Sequence, residues 1–167
     1  DTMLKDEDGK DVSLRGLIDK PTILTLNYFR CTGLCTPLLN GVVDFLNQIG
    51  LEPGKDFQVV TLSFDPSDTP EIAHQKRANY LKQMKRQYPP SAWRFLTGEA
   101  QASRKIADSV GFNYRAEGDQ FVHPEAIIVL TPKGMVSRYL YGISFLPADV
   151  SMAVREVILI PSTASIL

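Results

Sequence analysis

Cysteine and histidine are scarce in this chain, with two of each among 167 residues. Two cysteines cannot build the multi-bridge framework of a disulfide-dense secreted module. Closing the short loop between them would restrain the unfolded chain less than closing a long one, so a structural staple is a poor use for them. Charge of one sign is lacking as well. Lys and Arg number 18 against 19 Asp and Glu, with a net charge of -1 and a pI near 6.1. No basic stripe interleaved with aromatics argues for nucleic acid, and no basic face argues for an anionic membrane surface. Long apolar runs are also missing. None approaches the roughly 20 residues that cross a bilayer, and no charged-then-apolar signal segment precedes Asp1. The expectation is a soluble chain, with any membrane association supplied by a segment outside it. One stretch departs from this pattern: the end from Val157 to Leu167 is apolar and free of charge, and reads as a docking strand, a foreign scar or the edge of something deleted.

What is present suffices for one core. Hydrophobic residues make up 44% of the chain, which is too short for two comfortable domains, so one domain over 1–167 is expected. Met3 to Leu14 reads as two short strands around an Asp-Gly turn. A buried strand follows over Thr22–Phe29, then a helix whose apolar positions Leu38, Leu39, Val42, Val43, Phe45, Leu46 and Ile49 recur at helical spacing up to Gly50. Phe57–Phe64 is near-continuously apolar, as suits a central parallel strand covered on both faces. Thr69 is a natural N-cap with Pro70 in the first turn of a polar helix running through Tyr80, Leu81 and Met84. Trp93–Leu96 reads as a strand, Glu99–Val110 as a helix stopped by Gly111, and Phe112–Arg115 as a further strand. Ala126–Leu130 and Met135–Leu140 form a hairpin across Pro132-Lys133-Gly134, and a last helix begins near Pro147. Strand and helix alternate, then a hairpin and a helix close the chain, which is the element order of an α/β thioredoxin-like fold with an N-terminal β-hairpin and inserted elements.

The chemistry concentrates where the first buried strand ends. Cys31 and Cys35 follow it directly, and in the first turn of a helix positions i and i+4 share one face, so the two thiols can converge. Two thiolates suit Cu(I) and also suffice for a disulfide, and a helix N-terminus favours the sulfur anion that either use needs. The plain alternative is a pair of small buried apolar residues. His74 sits on the polar helix among Glu71, Gln75 and Lys76, as a solvated surface histidine would. His123 stands at the start of the strand Ala126–Leu130, which in a thioredoxin-like sheet lies beside the cysteine loop. There a neutral imidazole can complete an S₂N set for copper, act as base for one thiol, or be an ordinary loop residue. Zinc is also compatible with two cysteines and a histidine, although structural zinc takes four ligands and no fourth stands out. Asp65 and Asp68 flank Pro66 at a strand end. Such aspartates cap turns, and they also orient ligands or meet partners when they face a metal.

With Cys31-x-x-x-Cys35, the segment from Ser63 to Glu71 and His123 before the hairpin, the chain resembles the SCO/SenC group of thioredoxin-like copper proteins from about Leu4 to Val157. The resemblance implies that Cys31, Cys35 and His123 are ligands of copper, as Cu(I) or Cu(II). Cys31 and Cys35 are also the candidate redox-active pair, and Asp65, Asp68 and Pro124 are candidates to lie around the ligands. The implied function is that of a copper metallochaperone helping to build the CuA centre of a respiratory haem-copper oxidase. Its partners would be the CuA-bearing subunit and other copper carriers or thiol reductants. The implied location is extracytoplasmic: the bacterial periplasm with an anchor beyond this chain, or the mitochondrial intermembrane space. Two positions depart from the group's pattern, Thr36 standing between the second cysteine and Pro37, and Pro124 following the histidine. Pro124 also lies near the place of the cis-proline of thioredoxin-like proteins. The alternative function is thiol-disulfide reduction of a partner by Cys31 and Cys35, which does not demand His123. A peroxidase is disfavoured because Tyr28 stands where that motif has proline, and a copper or redox sensor would use the same residues.

Overall fold

The Asp-Gly segment makes the first hairpin, β1 (Met3–Lys5) pairing antiparallel with β2 (Asp11–Ser13). Asp6 shapes its turn, Oδ1 accepting the N–H groups of Asp8 and Lys10 at 2.9 Å each. The computed structural model describes residues 2–31 and 35–159. It continues with one helical turn, α1 (Leu14–Leu17), capped by the Ser13 hydroxyl. Four residues are too few to show a helical period, and the sequence pattern ends in strand there. The remaining elements follow as β3 (Thr22–Asn27), α2 (Cys35–Leu46), β4 (Gln58–Ser63), α3 (Pro70–Leu81), β5 (Trp93–Leu96), α4 (Ala100–Ser109), β6 (Arg115–Glu117), β7 (Gln120–Val122), β8 (Ala126–Leu130), β9 (Val136–Tyr141) and α5 (Pro147–Leu159).

One five-stranded sheet, in the order β5-β4-β3-β8-β9, carries the fold. β3, β4 and β5 run parallel, while β8 is antiparallel to β3 and β9 to β8. Every residue of β3 and β4 is buried, because both faces of the sheet are covered. Alternation divides the side chains between two cores. Ile23 and Val59 pack with Leu38, Val42 and Leu46 of α2, Ala73 of α3 and Val150 of α5. Leu24, Leu26, Val60 and Leu62 pack on the other side with Ile106 and Ala107 of α4 and Leu4 of the first hairpin. Threonines inside this sheet find partners: Thr25 Oγ1 donates to Thr61 Oγ1 at 2.7 Å, which also accepts from Trp93 Nε1 at 2.9 Å.

The N-terminal hairpin is locked down by a carboxylate that the sequence pattern does not single out. Glu7, with a side chain 0% exposed, meets Arg77 at 3.0 Å and Arg94 at 3.1 Å, and accepts the Phe95 N–H at 2.8 Å. Capping follows the residues expected for it. Thr69 accepts the Ile72 N–H with Pro70 in the first turn, and Gly111, at φ 74, ends α4. Gly41, inside α2, is required by close approach. A Cβ there would lie 2.0 Å from the Ile143 carbonyl oxygen.

Several expected boundaries change, among them the end of α2, which stops at Leu46 and leaves Ile49 beyond it. β3 and β4 stop at Asn27 and Ser63, and Phe29 and Phe64 continue into buried loop. α3 ends at Leu81, so Met84 lies beyond it. Phe112–Arg115 is not a strand as expected. Phe112 and Tyr114 are buried loop aromatics, and the extended segment is the separate hairpin β6-β7, paired from Arg115↔Val122 to Glu117↔Gln120. A run of alternating aromatics signals burial as well as strand, and only the packing separates the two. Of the apolar end, Val157 is buried in α5 and Ile158 exposed, while 160–167 lie outside the described residues.

Candidate metal centre

Cys31 lies in the turn that follows β3, not in the first turn of a helix as the i, i+4 expectation had it. Its N–H donates to the Tyr28 carbonyl at 3.4 Å, and α2 begins only at Cys35. Cys31 is half-buried against the core cluster that contains Leu26, Tyr28 and Phe64. Of Cys35 only the backbone is described, at the first position of α2. The helix start gives that position the N-terminal end of the dipole, which favours a thiolate.

The turn is held from below by the two aspartates. Asp68, with a side chain 0% exposed, accepts the Phe29 N–H at 2.7 Å and the Ser63 hydroxyl at 2.6 Å, and its other oxygen lies 3.4 Å from Arg30 Nε. Asp65 takes the Arg30 guanidinium at 2.6 Å and both the N–H and hydroxyl of Ser67. Burial alone would lift the Asp65 carboxyl, but Ser67 and Arg30 more than offset it and hold it below the usual carboxylate range. Both carboxylates therefore act on Phe29 and Arg30, the two residues that lead into Cys31. The loop after β4 thus sets the path of the chain into the cysteine pair.

His123 follows β7, and its side chain is only 4% exposed. Its ring packs edge-on against Tyr28 at 5.9 Å and Phe64 at 5.2 Å, with Phe112 at 6.1 Å. Cys31 and His123 thus abut the same aromatic cluster. His123 Nδ1 lies 2.9 Å from the Pro124 carbonyl oxygen. A carbonyl only accepts, so Nδ1 carries the proton and Nε2 the lone pair. Burial lowers the imidazole pKa, and the Pro124 hydrogen bond offsets only part of that, which favours the neutral ring. The peptide bond at Pro124 is trans, as are all the others among the described residues. Pro124 meets the histidine through its carbonyl. Glu125 stands 3.7 Å from the same ring nitrogen, and burial pushes its carboxyl up to about 7.

Several neighbours of the site have no sequence motif. The Tyr28 hydroxyl donates to Gln120 Oε1 at 2.6 Å and accepts from the Phe121 N–H at 3.4 Å, tying the strand that precedes Cys31 to the hairpin that precedes His123. A groove of about 540 Å³ runs along this seam, lined among others by Tyr28, Arg30, Asp65, Ser67 and Gln120. The only signal in the sequence is Tyr28 itself, a polar-tipped aromatic at the end of a buried strand. His74 is exposed, 3.9 Å from Asp8, far from these residues in role as in the sequence reading. Among the described residues no three His, Cys, Asp or Glu side chains already form a metal cluster.

A central mixed sheet whose first core strand feeds a cysteine into the start of a helix defines a thioredoxin-like α/β protein, here with a histidine packed against Tyr28, three residues before Cys31. The SCO1/SenC family model matches residues 3–158, and the chain belongs to that family. It is 27% identical over 153 residues to the SCO1 protein homolog of Bacillus subtilis (strain 168), covering 87% of this chain and 74% of that protein. A crystal structure of an Aquifex aeolicus VF5 protein, provisionally described as an electron transfer protein, superposes with a TM-score of 0.83. It has 28% identity and covers 94% of this chain and 89% of that one. Arabidopsis thaliana ScoI, solved with copper bound, gives a TM-score of 0.73 at 25% identity over 93% and 94% of the two chains.

Proposed function

We propose that this protein carries copper, holding Cu(I) through the thiolates of Cys31 and Cys35 and through His123 Nε2. The observation that carries this reading is the state of His123. Its ring is buried against aromatics, favoured in its neutral form, and fixed by Nδ1–H···O=C to Pro124, which leaves Nε2 as the donor nitrogen. Soft sulfur with one imidazole suits Cu(I) better than hard divalent ions. A copper-bound relative of the same fold supports the choice of metal. The copper is cargo. An incoming thiolate or thioether from a partner replaces one ligand at a time, and a three-ligand site leaves room for that approach.

The client in this reading is the CuA-bearing subunit of a haem-copper oxidase, consistent with the family's place in oxidase assembly. Delivery occurs outside the cytoplasm, in the periplasm of a bacterium. No helix among the described residues is long and apolar enough to cross a membrane. Thiol chemistry then controls the site, because copper binds only while Cys31 and Cys35 are reduced. Reduction of a partner's cysteines is the second reading, favoured by the position of Cys35 at a helix start.

The test is Cu(I) titration with X-ray absorption on the reduced protein and on His123→Ala. The expected result is one equivalent with two sulfur scatterers and one nitrogen, the nitrogen being lost in the variant. Unaltered affinity and coordination in His123→Ala would sink the three-ligand carrier.

A further inference from the structure

The near-even balance of charge over the chain hides one local excess. At the end of the sheet where β3 begins, an open pocket of about 380 Å³ is lined by three cationic side chains, Arg15, Lys105 and Lys133, and by no Asp or Glu. Its floor is apolar. Leu14, Ile18, Ile106, Val110 and Leu130 form it, the last three buried, and all five belong to the core beneath α4.

Local structure brings the three charges together. Ile106 and Val110 turn inward from α4 and its C-cap, and the neighbouring i, i+4 row carries Lys105 and Ser109 to the rim. Arg15 lies in α1, the single turn capped by the Ser13 hydroxyl. Lys133 sits in the tight turn from β8 to β9, where the Thr131 carbonyl accepts the Gly134 N–H at 2.8 Å and Gly134 takes φ 82. All three are exposed residues, with long stems suited to covering apolar surface while the charged heads stay in water. Among the described residues the Arg15 and Lys105 heads have no ion-pair partner. Like charges around one apolar floor repel, and an anion between them relieves that.

The pocket is remote from the cysteine turn. Thr22 pairs with Leu130 at the start of β3, and Cys31 follows the other end of that six-residue strand, about 17–20 Å away. We propose that the pocket binds an amphiphilic anion: a carboxylate or phosphate head held by Arg15, Lys105 and Lys133, with an apolar chain laid over Ile18, Ile106 and Leu130. The volume falls within the range of about 300–1,000 Å³ usual for small-molecule sites. This site stands independently of the copper reading.

The test is titration of octanoate into the full chain, followed by the NMR shifts of isoleucine and leucine methyl groups. Saturable binding of one equivalent is expected, with shifts at Ile18, Ile106 and Leu130. Octanol, which has the chain without the charge, should bind about tenfold more weakly. Arg15→Gln and Lys105→Gln should each weaken octanoate about threefold, and the double variant about tenfold, as exposed ion pairs allow. Cu(I) binding should be unchanged in both variants. Sedimentation with phosphatidylglycerol vesicles separates two sources of the anion. Cosedimentation that the double variant abolishes makes it a lipid held in a bilayer, and octanoate binding without cosedimentation makes it a free amphiphile. Octanoate that does not saturate, octanol that binds as tightly, or a double variant with the parent's affinity overturns the proposal.

Discussion

Replacing Asp68 by alanine tests whether the loop after β4 holds the cysteine turn. The substitution removes the acceptor of the Phe29 N–H at 2.7 Å and of the Ser63 hydroxyl at 2.6 Å, both at a carboxylate with no exposed surface. Hydrogen bonds to charged groups are worth about 1.5–3 kcal/mol each, and both donors would be left in the interior, so a loss of about 3 kcal/mol or more is expected. For a chain of this size each kcal/mol lowers Tm by about 2–4 °C, giving a drop of about 6–12 °C. Asp68→Asn keeps one carbonyl acceptor and should lose about half as much. The assay is urea unfolding of the reduced, metal-free protein, with an unchanged m value showing that the two-state transition is intact. Cu(I) competition titrations give the second reading. With Phe29 and Arg30 released, the turn into Cys31 loosens and affinity should fall about tenfold, about 1.4 kcal/mol. A stability loss under about 1 kcal/mol would refute the energetic assignment, this being the range of ordinary surface changes. A full stability loss with parental copper affinity would confine Asp68 to the fold.

Further outcomes follow from other contacts. Glu7→Ala leaves Arg77 and Arg94 without their shared carboxylate and should cost about 3–5 kcal/mol, read by denaturant unfolding. Burial pushes the Asp6 carboxyl upward, but the N–H groups of Lys10 and Asp8 and the charge of Arg94 more than offset it, so its pKa lies below the usual value. Its stabilisation is therefore present above the unfolded-state pKa and disappears as pH falls through the lower folded one. Asp6→Asn should flatten that acid limb in unfolding measured from neutral to acid pH. Tyr28→Phe removes the hydroxyl that joins Gln120 and the Phe121 N–H, and should cost about 1 kcal/mol, with faster amide exchange over β7. Gly41→Ala drives a methyl into the Ile143 carbonyl and should destabilise by about 1–3 kcal/mol, with shifted backbone signals around 141–146.

Local pattern made much of this fold legible. Period-2 and continuous apolar runs located β3, β4, β5 and β8, and Thr69-Pro70 and Gly111 marked helix ends, because these signals arise from sterics and capping within a few residues. The strand at Phe112 failed for a physical reason: aromatics buried from a loop leave the same trace as aromatics buried from a sheet. The roles of Asp65 and Asp68 were legible only as alternatives. Their partners Arg30 and Phe29 lie more than thirty residues away in the chain.

The sequence by itself determined the chemical inventory: two cysteines at a strand end, a histidine before a hairpin, proline-flanked aspartates, and an α/β order that fits the SCO1/SenC family. Only the tertiary structure decided what each group meets. It placed Cys31 in the turn outside α2, tied that turn to Asp65 and Asp68, and buried His123 among Tyr28, Phe64 and Phe112 with its proton directed to Pro124. It also left the buried Asn27 amide without a hydrogen-bond partner, a fact with no trace in composition or spacing. Protonation, tautomer and hydrogen-bond satisfaction depend on desolvation and on partners brought from distant parts of the chain. Those are properties of packing, and they exist only once the sheet has assembled.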